Sequence, residues 1–507
     1  MEKFILSKEH LEKRRQKKRF VLRDDIMGTF LQRIMSIQDY FDFSFQFPDE
    51  ADKILVDGMG GGGEWMSVYD SEIVPRYKID YYDRFSDAGI DLFGEWVSYV
   101  HKKNKECWVT HRVGDIHSDK VFPIEATKEH PEWFFEITGG YKINNIAIPE
   151  IQERKIRIFG EWMRKFSFDG LDIDFERHTP ILPPGKQWEM REYITDFMRK
   201  VRKELLEIGK EQGRVIMLSA RVPDCLKGCH EDGLDIEQWV KEGLIDCLTL
   251  GSRSFDVKAE EFRALSDEIQ IYCCYDPHHT VDGYTFPPIE TLRGVWYSHL
   301  TRGADGIEYF NWTGEGKKEL VDKYVKKYKT DPMRDNFVQY SKDDFTGIND
   351  KEFLARQDKT YVIDRKGGYP WGIGYGNMNA DRQLPCDVIN GKEFKLYVAE
   401  NVALAKKATL KLLFEETSEI PEISLNGEKL SFTFKPHRDL QITTEKEAPI
   451  SGYTITLRIL KNEDYSKPCV MFTADITGKQ TKIGYNSVYV SAAKPVRAEK
   501  IELEIKK

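Results

Sequence analysis

The sequence predicts an α/β protein, a (β/α)8 TIM barrel over residues 1–335 followed by a C-terminal antiparallel β-sandwich over residues 336–507. Three observations predict it. Short apolar runs alternate with longer amphipathic ones across the first two thirds, the pattern of repeated βα units. Eight such runs can be counted, and chemically capable polar residues gather at their C-terminal ends, where a barrel of this kind carries its site. Beyond about residue 335 the apolar period falls to two, as in half-buried strands. A chain of 507 residues exceeds one ordinary domain, and its 40% apolar fraction supplies core for two.

Taken in order, the expected barrel strands are Phe20 to Asp24, Lys53 to Asp57, Cys107 to Val113, the stretch Phe168 to His178, Val215 to Ala220, Ile245 to Leu250, Ile269 to Tyr275 and Gly306 to Phe310. Helical spacing marks Leu92, Trp96, Val97 and Val100, then Ile151 to Phe166 and Ile289 to Leu300. The strongest helix is Gln187 to Gln212, with Trp188, Tyr193, Phe197, Val201 and Leu205 as its apolar face. A long loop with Pro123, Pro131 and Gly139-Gly140 separates the third and fourth strands. The sandwich is expected from runs at Lys359–Ile363, Phe394–Val398, Thr409–Leu413, Ile423–Gly427, Tyr453–Leu460 and Ile501–Ile505. Its expected task is to pack on the barrel or touch a long substrate.

The fourth strand carries the chemistry. In Asp169-Gly170-Leu171-Asp172-Ile173-Asp174-Phe175-Glu176-Arg177-His178, residues two apart share a face, so Asp172, Asp174, Glu176 and His178 project together while Leu171, Ile173 and Phe175 pack the other way. Repulsion among three carboxylates at that spacing raises at least one pKa, the condition for a general acid near neutral pH. Other strand ends add Asp24 and Asp25; His111, Arg112, Asp115 and His117; Arg221; Arg253; Asp276; and Glu308 with Trp312. Each has a plain structural reading. Asp24 and Asp25 also suit turns, Glu308 suits pairing with an arginine, and His111 and His117 suit buried hydrogen bonds. Arg112, Arg177, Arg221 and Arg253 either bind a substrate carboxylate or neutralise the acidic strand, and the second is the expectation. Trp65, Trp133 and Trp312 suit either sugar stacking or the core. The glycine run ending at Glu64 lacks a following Lys-Ser or Lys-Thr, so it reads as a close-approach loop and not a phosphate cradle.

The eight positions from Asp169 to Glu176 resemble the strand-four signature of family-18 glycoside hydrolases, the chitinases and their relatives. That resemblance implies Glu176 as proton donor, Asp174 as the carboxylate that orients a substrate N-acetyl group, Asp172 as its buried electrostatic partner and Trp312 as an aromatic floor. Thr110-His111-Arg112-Val113-Gly114-Asp115 and Thr249-Leu250-Gly251-Ser252-Arg253 depart from that family's third and sixth strands. The first two thirds also resemble the bacterial glycosyl hydrolases described as family-10-like, through Arg23-Asp24-Asp25, Arg112 to His117, Ser219-Ala220-Arg221-Val222-Pro223 and Ala304-Asp305-Gly306-Ile307-Glu308 before Asn311-Trp312. An aspartate after the first strand and a histidine after the third are similar to the layout of family-156 exo-sialidases, which implies roles for Asp24 or Asp25 and for His111 or His117.

The expectation is therefore a glycoside hydrolase acting on a carbohydrate without a cofactor. Its catalytic candidates are Glu176, Asp174, Asp172, Glu308 and Asp24. Its substrate-binding candidates are Asp25, His111, Arg112, Asp115, His117, Arg177, His178, Arg221 and Trp312. The alternatives are a metal-dependent hydrolase built on the strand-four carboxylates and a non-catalytic carbohydrate-binding barrel. No metal site is expected, and Cys225, Cys229 and His230 lack a second cysteine pair to complete one. The eight scattered cysteines read as free buried thiols. A net charge of −9 with dispersed basic residues argues against nucleic acid, and the run Lys13-Arg14-Arg15-Gln16-Lys17-Lys18-Arg19 reads as a solvated helix end. With no apolar leader or membrane-length run, a cytoplasmic protein is expected, or a periplasmic or secreted one if a leader has been removed.

Overall fold

The computed structural model describes residues 3–24, 36, 38, 50–57, 65–76, 80–115, 125–136, 142–251, 254–276, 283–284, 286–310, 340, 342–365, 374–375, 382–443, 445–450, 453–458, 466–479 and 481–507. Eight strands form a closed barrel: β1 Phe20–Asp24, β2 Lys53–Asp57, β3 Glu106–Arg112, β4 Gly170–Asp174, β5 Met217–Val222, β6 Cys247–Leu250, β7 Gln270–Tyr275 and β8 Gly306–Tyr309. Each pairs in parallel with its neighbours in sequence, and β8 closes onto β1.

Strand parity sorts the side chains. Leu22, Val109, Leu171, Ile173, Leu218, Ala220, Leu248 and Ile271 face the helices and join the main hydrophobic core. The opposite parity fills the barrel with a lower apolar layer of Val21, Leu55, Trp108, Met217, Cys247 and Tyr272. Above it lies a polar layer, described with the site.

Helix α1, Lys8–Arg15, is capped by Ser7, whose hydroxyl accepts from the His10 N–H at 3.1 Å. It closes the N-terminal end of the barrel. His10 Nε2 lies 3.0 Å from Asp246, which Arg202 approaches to 2.9 Å and the Leu218 N–H to 2.9 Å. Burial works against the Asp246 charge, but Arg202 and His10 hold its carboxyl well below the usual range.

Helices α2, Pro149–Phe166, α3, Arg191–Gln212, and α4, Ile289–Thr301, cover the outside. The start of α3 corrects the expectation. Trp188 precedes the helix, and Trp188 and Tyr193 are exposed, because the buried face runs through Ile194, Phe197, Met198, Val201, Leu205 and Ile208. A strict spacing of four drifts off a helical face by about 40° per step, which carried the expected stripe outward. Strand β5 begins two residues later than expected and continues through Val222. The long loop before β4 contains a hairpin, Phe134–Glu136 with Lys142–Asn144.

The C-terminal region forms two antiparallel sheets. One runs in the order Lys359–Val362, Val496–Lys506, Lys407–Glu415, Ser466–Asp475 and Thr433–Thr443, with Cys386–Val388 also on Val496–Lys506. The other runs Lys392–Val398, Gly484–Ser491, Glu422–Leu425 and Glu428–Lys429. Alternate residues such as Leu410, Leu412, Phe414, Leu503, Phe394, Leu396 and Val488 share one core. Asn426 and Gly427, both at positive φ (51° and 85°), make the tight turn into Glu428–Lys429. Tyr453–Arg458, expected within the sandwich, instead pairs with Glu445–Ile450 in a separate two-stranded ribbon. The boundary expected at 335/336 lies outside the described residues. Among those residues no helix is long and apolar enough to cross a membrane, and all eight cysteines are free thiols, seven of them buried.

The sandwich seats on the barrel through α4, where Gly294 lets the Lys359–Val362 strand approach directly. A Cβ at Gly294 would stand 2.2 Å from the Thr360 carbonyl oxygen. Gly294→Ala is therefore expected to destabilise the protein by about 1–3 kcal/mol through overpacking, read as a lower urea midpoint at unchanged slope.

Candidate active site

The polar layer of the barrel is organised by Arg23 of β1, which is 1% exposed. Its Nη2 donates to Asp172 at 2.6 Å, its Nε to Glu308 at 2.9 Å and its Nη1 to Thr110 Oγ1 at 2.5 Å, with Asp174 at 3.7 Å. Asp172 also accepts from Thr110 at 2.7 Å and from Ser219, and Glu308 accepts from Thr249 at 3.0 Å. Two sequence candidates, Asp172 and Glu308, thus belong to one hydrogen-bonded layer below the barrel mouth.

The layer above holds Asp174. Its Oδ2 accepts from Arg221 at 2.5 Å, and its Oδ1 accepts the N–H groups of Glu176 and Arg177 at 3.0 and 3.1 Å. Those two backbone bonds end the strand and turn the chain. The four-residue acidic face expected from Asp172 to His178 therefore stops at Asp174. Phe175 still packs outward, 5.5 Å from Trp239, but Glu176 and His178 lie in a turn, with His178 at φ 58°.

The two carboxyls at the barrel mouth are driven apart in proton affinity. Burial pushes Glu176 up to about 8; Arg221 opposes the shift, and Asp232, Asp224 and Asp174 add to it. Desolvation therefore dominates over the carboxylate repulsion expected from the sequence. Burial also acts against charge on Asp174, yet Arg221, Arg23 and Arg112 hold it at about 2. One carboxyl thus keeps its proton at neutral pH while its neighbour stays ionised, the arrangement of an acid beside a charge stabiliser.

Phe310, fully buried after β8, stands under three guanidiniums: Arg221 at 4.3 Å, Arg23 at 5.3 Å and Arg177 at 5.7 Å from its ring centre. Nothing in its sequence context marked Phe310, and Arg23 was overshadowed by the aspartates beside it. Parity was the available signal, since Arg23 shares the interior face with Val21. The same parity turns His111 to the helices. It packs against Phe159 and Trp162 and bonds Lys155 of α2 at 3.0 Å, so it does not face the barrel interior as a substrate contact would. Asp24 has the helix-facing parity and is 3% exposed.

Arg112 and Asp115 pair at 3.6 Å near the mouth. Asp25, His117, Trp312 and Arg253, together with the glycine run, lie outside the described residues. Trp65 and Trp133 stack on each other, 6.4 Å between ring centres, in a small core. Among the described residues no three His, Cys, Asp or Glu converge in metal-ligating geometry. Cys225 donates to Tyr375, Cys229 faces the Pro223 carbonyl and His230 pairs with Glu237.

No protein-family model matches the chain, and no curated protein matches it in sequence. Solved structures do match at low identity, and glycoside hydrolases are among them. α-L-Fucosidase isoenzyme 2 from Paenibacillus thiaminolyticus gives a TM-score of 0.42 at 14% identity over 69% of this chain and 52% of that one. An Anoxybacillus α-amylase gives 0.36 at 12% over 94% and 98%. A cycloisomaltooligosaccharide glucanotransferase from Paenibacillus sp. gives 0.35 at 9% over 95% and 57%, so this chain spans little more than half its length. These likenesses are distant, and the functional reading rests on the site itself.

The Arg23 layer yields a direct test. Arg23→Met leaves Asp172 and Glu308 buried without their cation and is expected to cost about 3–5 kcal/mol, measured by chemical unfolding at pH 7.

Proposed function

We propose that the protein is a glycoside hydrolase in which Glu176 is the general acid. The observation that carries the proposal is the split pair at the C-terminal end of β4, Glu176 raised to about 8 beside Asp174 held at about 2. A glycosidic oxygen is a poor leaving group until protonated. Glu176, protonated at neutral pH and at the barrel mouth, supplies that proton. Positive charge then develops on the sugar ring, and ionised Asp174 provides the negative potential that stabilises it.

Of the candidates for second carboxylate, Asp174 fits best. Glu308 is tied to Arg23 and Thr249 in the layer below, and Asp24 has the helix-facing parity. The backbone N–H groups of Glu176 and Arg177 fix the Asp174 carboxylate, so its position is set before substrate arrives. Further support comes from the resemblance of the Asp169 to Glu176 spacing to the family-18 signature.

The test is a screen of wild type and Glu176→Gln against aryl glycosides and glycans that include neutral, N-acetylated and acidic sugars. Wild type is expected to cleave at least one, and Glu176→Gln to lower its kcat by ~10²–10⁴ while retaining binding. Cleavage of an ester or amide, with no glycoside turned over, contradicts the proposal.

A further inference from the structure

Two residues that follow the barrel in sequence, Tyr375 and Arg382, reach back to the aspartates around Glu176. Arg382 precedes the Cys386–Val388 strand of the sandwich, and its side chain is largely buried. Its Nη2 donates to Asp224 Oδ2 at 2.5 Å and to Ser254 Oγ, and its Nη1 lies 3.4 Å from Asp364. Asp364 in turn accepts the N–H groups of Phe255 and Asp256 at 2.8 and 3.1 Å, which anchors the same corner to the loop after β6.

Nearby, the Tyr375 N–H donates to Asp232 at 3.0 Å, its hydroxyl accepts from Cys225 at 3.3 Å, and the Gly374 N–H donates to the Thr179 carbonyl at 3.0 Å. Both fits are close. A Cβ on Gly374 would overlap the Thr179 side chain at 1.9 Å, and one on Gly228 would meet the Tyr375 ring at 2.4 Å. Asp224 and Asp232 are the two carboxylates after β5 that act electrostatically on Glu176, and each is bonded by a residue of the C-terminal region. That region therefore does more than cover the barrel.

We propose that Arg382 is a positioning residue for the acid, setting the electrostatic environment of Glu176 by pairing with Asp224. The inference rests on the reading of Glu176 as the general acid. Among the described residues, the groups acting on Glu176 include Asp174 at the end of β4, Arg221 from β5, and Asp224 and Asp232 from the segment after β5, with the Cys229 thiol alongside. Asp224 is held by the Arg382 guanidinium at 2.5 Å. With Arg382 in place, its charge is largely spent on the guanidinium and the Ser254 hydroxyl. Without Arg382, that negative charge acts on Glu176 in full and favours its protonated form more strongly. Neutralising Asp224 does the reverse.

The experiment follows the Glu176 titration in the full-length protein by carboxyl-carbon NMR, with the resonance assigned by its loss in Glu176→Gln. Arg382→Gln is expected to raise the midpoint and Asp224→Asn to lower it, each on the order of one pH unit, as a single charge does across a medium of effective dielectric ~20. Arg382→Lys keeps the cation and is expected to stay near wild type. In an Asp224→Asn background, Arg382→Gln is expected to bring the midpoint back up toward wild type, because both members of the pair are then neutral. Should Arg382→Gln fail to fold, Asp224→Asn alone carries the test.

A midpoint unmoved by Asp224→Asn, or lowered by Arg382→Gln in a folded protein, overturns the inference. Glycosidase activity that survives Glu176→Gln overturns the parent reading instead. Activity that depends on Glu176, with a midpoint indifferent to Asp224 and Arg382, defeats this inference alone.

Discussion

The structure depends on a buried guanidinium. Arg23 stands inside the barrel where aliphatic side chains ordinarily pack, and it bonds Asp172 and Glu308 while facing Asp174. Charges in such a place are costly unless each is paired and hydrogen-bonded, and here Thr110, Ser219 and Thr249 complete the set. The layer gives the carboxylates different work. Asp172 and Glu308 anchor Arg23, Asp174 is held ionised by Arg221, Arg23 and Arg112, and Glu176, one turn beyond the strand, is left in a desolvated position that favours its proton. A motif of evenly spaced acids thus becomes a graded series, from a carboxylate bonded to Arg23 to one held ionised to one that favours its proton.

Much of this was legible in the sequence, for reasons that differ by residue. The eight strands could be counted because helix-facing positions such as Leu171, Ile173, Leu218 and Ile271 are apolar. The β4 motif was legible because carboxylates within an apolar strand are costly to bury and need partners or a chemical task to persist there. The turn at Asp174 was not, since it arises from two backbone bonds that no side-chain pattern announces. His111 resembled a site residue by its place at a strand end, but its parity sends it toward Phe159 and Lys155. Arg23 and Phe310 were legible only as neighbours of louder residues. Asp224 and Arg382 are 158 positions apart, and nothing local connects them.

The barrel and the sandwich are also less separate than their sequence textures suggest. A glycine in α4 admits a sandwich strand against the barrel wall, and Gly374, Tyr375 and Arg382 reach the loops that follow β4 and β5. Asp224 and Asp232, which act on Glu176, are each bonded by a residue of the C-terminal region.

The central claim is that Glu176 works in its protonated form near neutral pH. The measurement that tests it most directly is the pH dependence of kcat/KM for a cleaved glycoside, which reports the free enzyme's essential groups. With Glu176 at about 8 and Asp174 at about 2, activity should hold through neutrality and fall tenfold per unit only above about 8. A profile that already falls between about pH 4 and 5, where an ordinary glutamic acid loses its proton, would contradict the account.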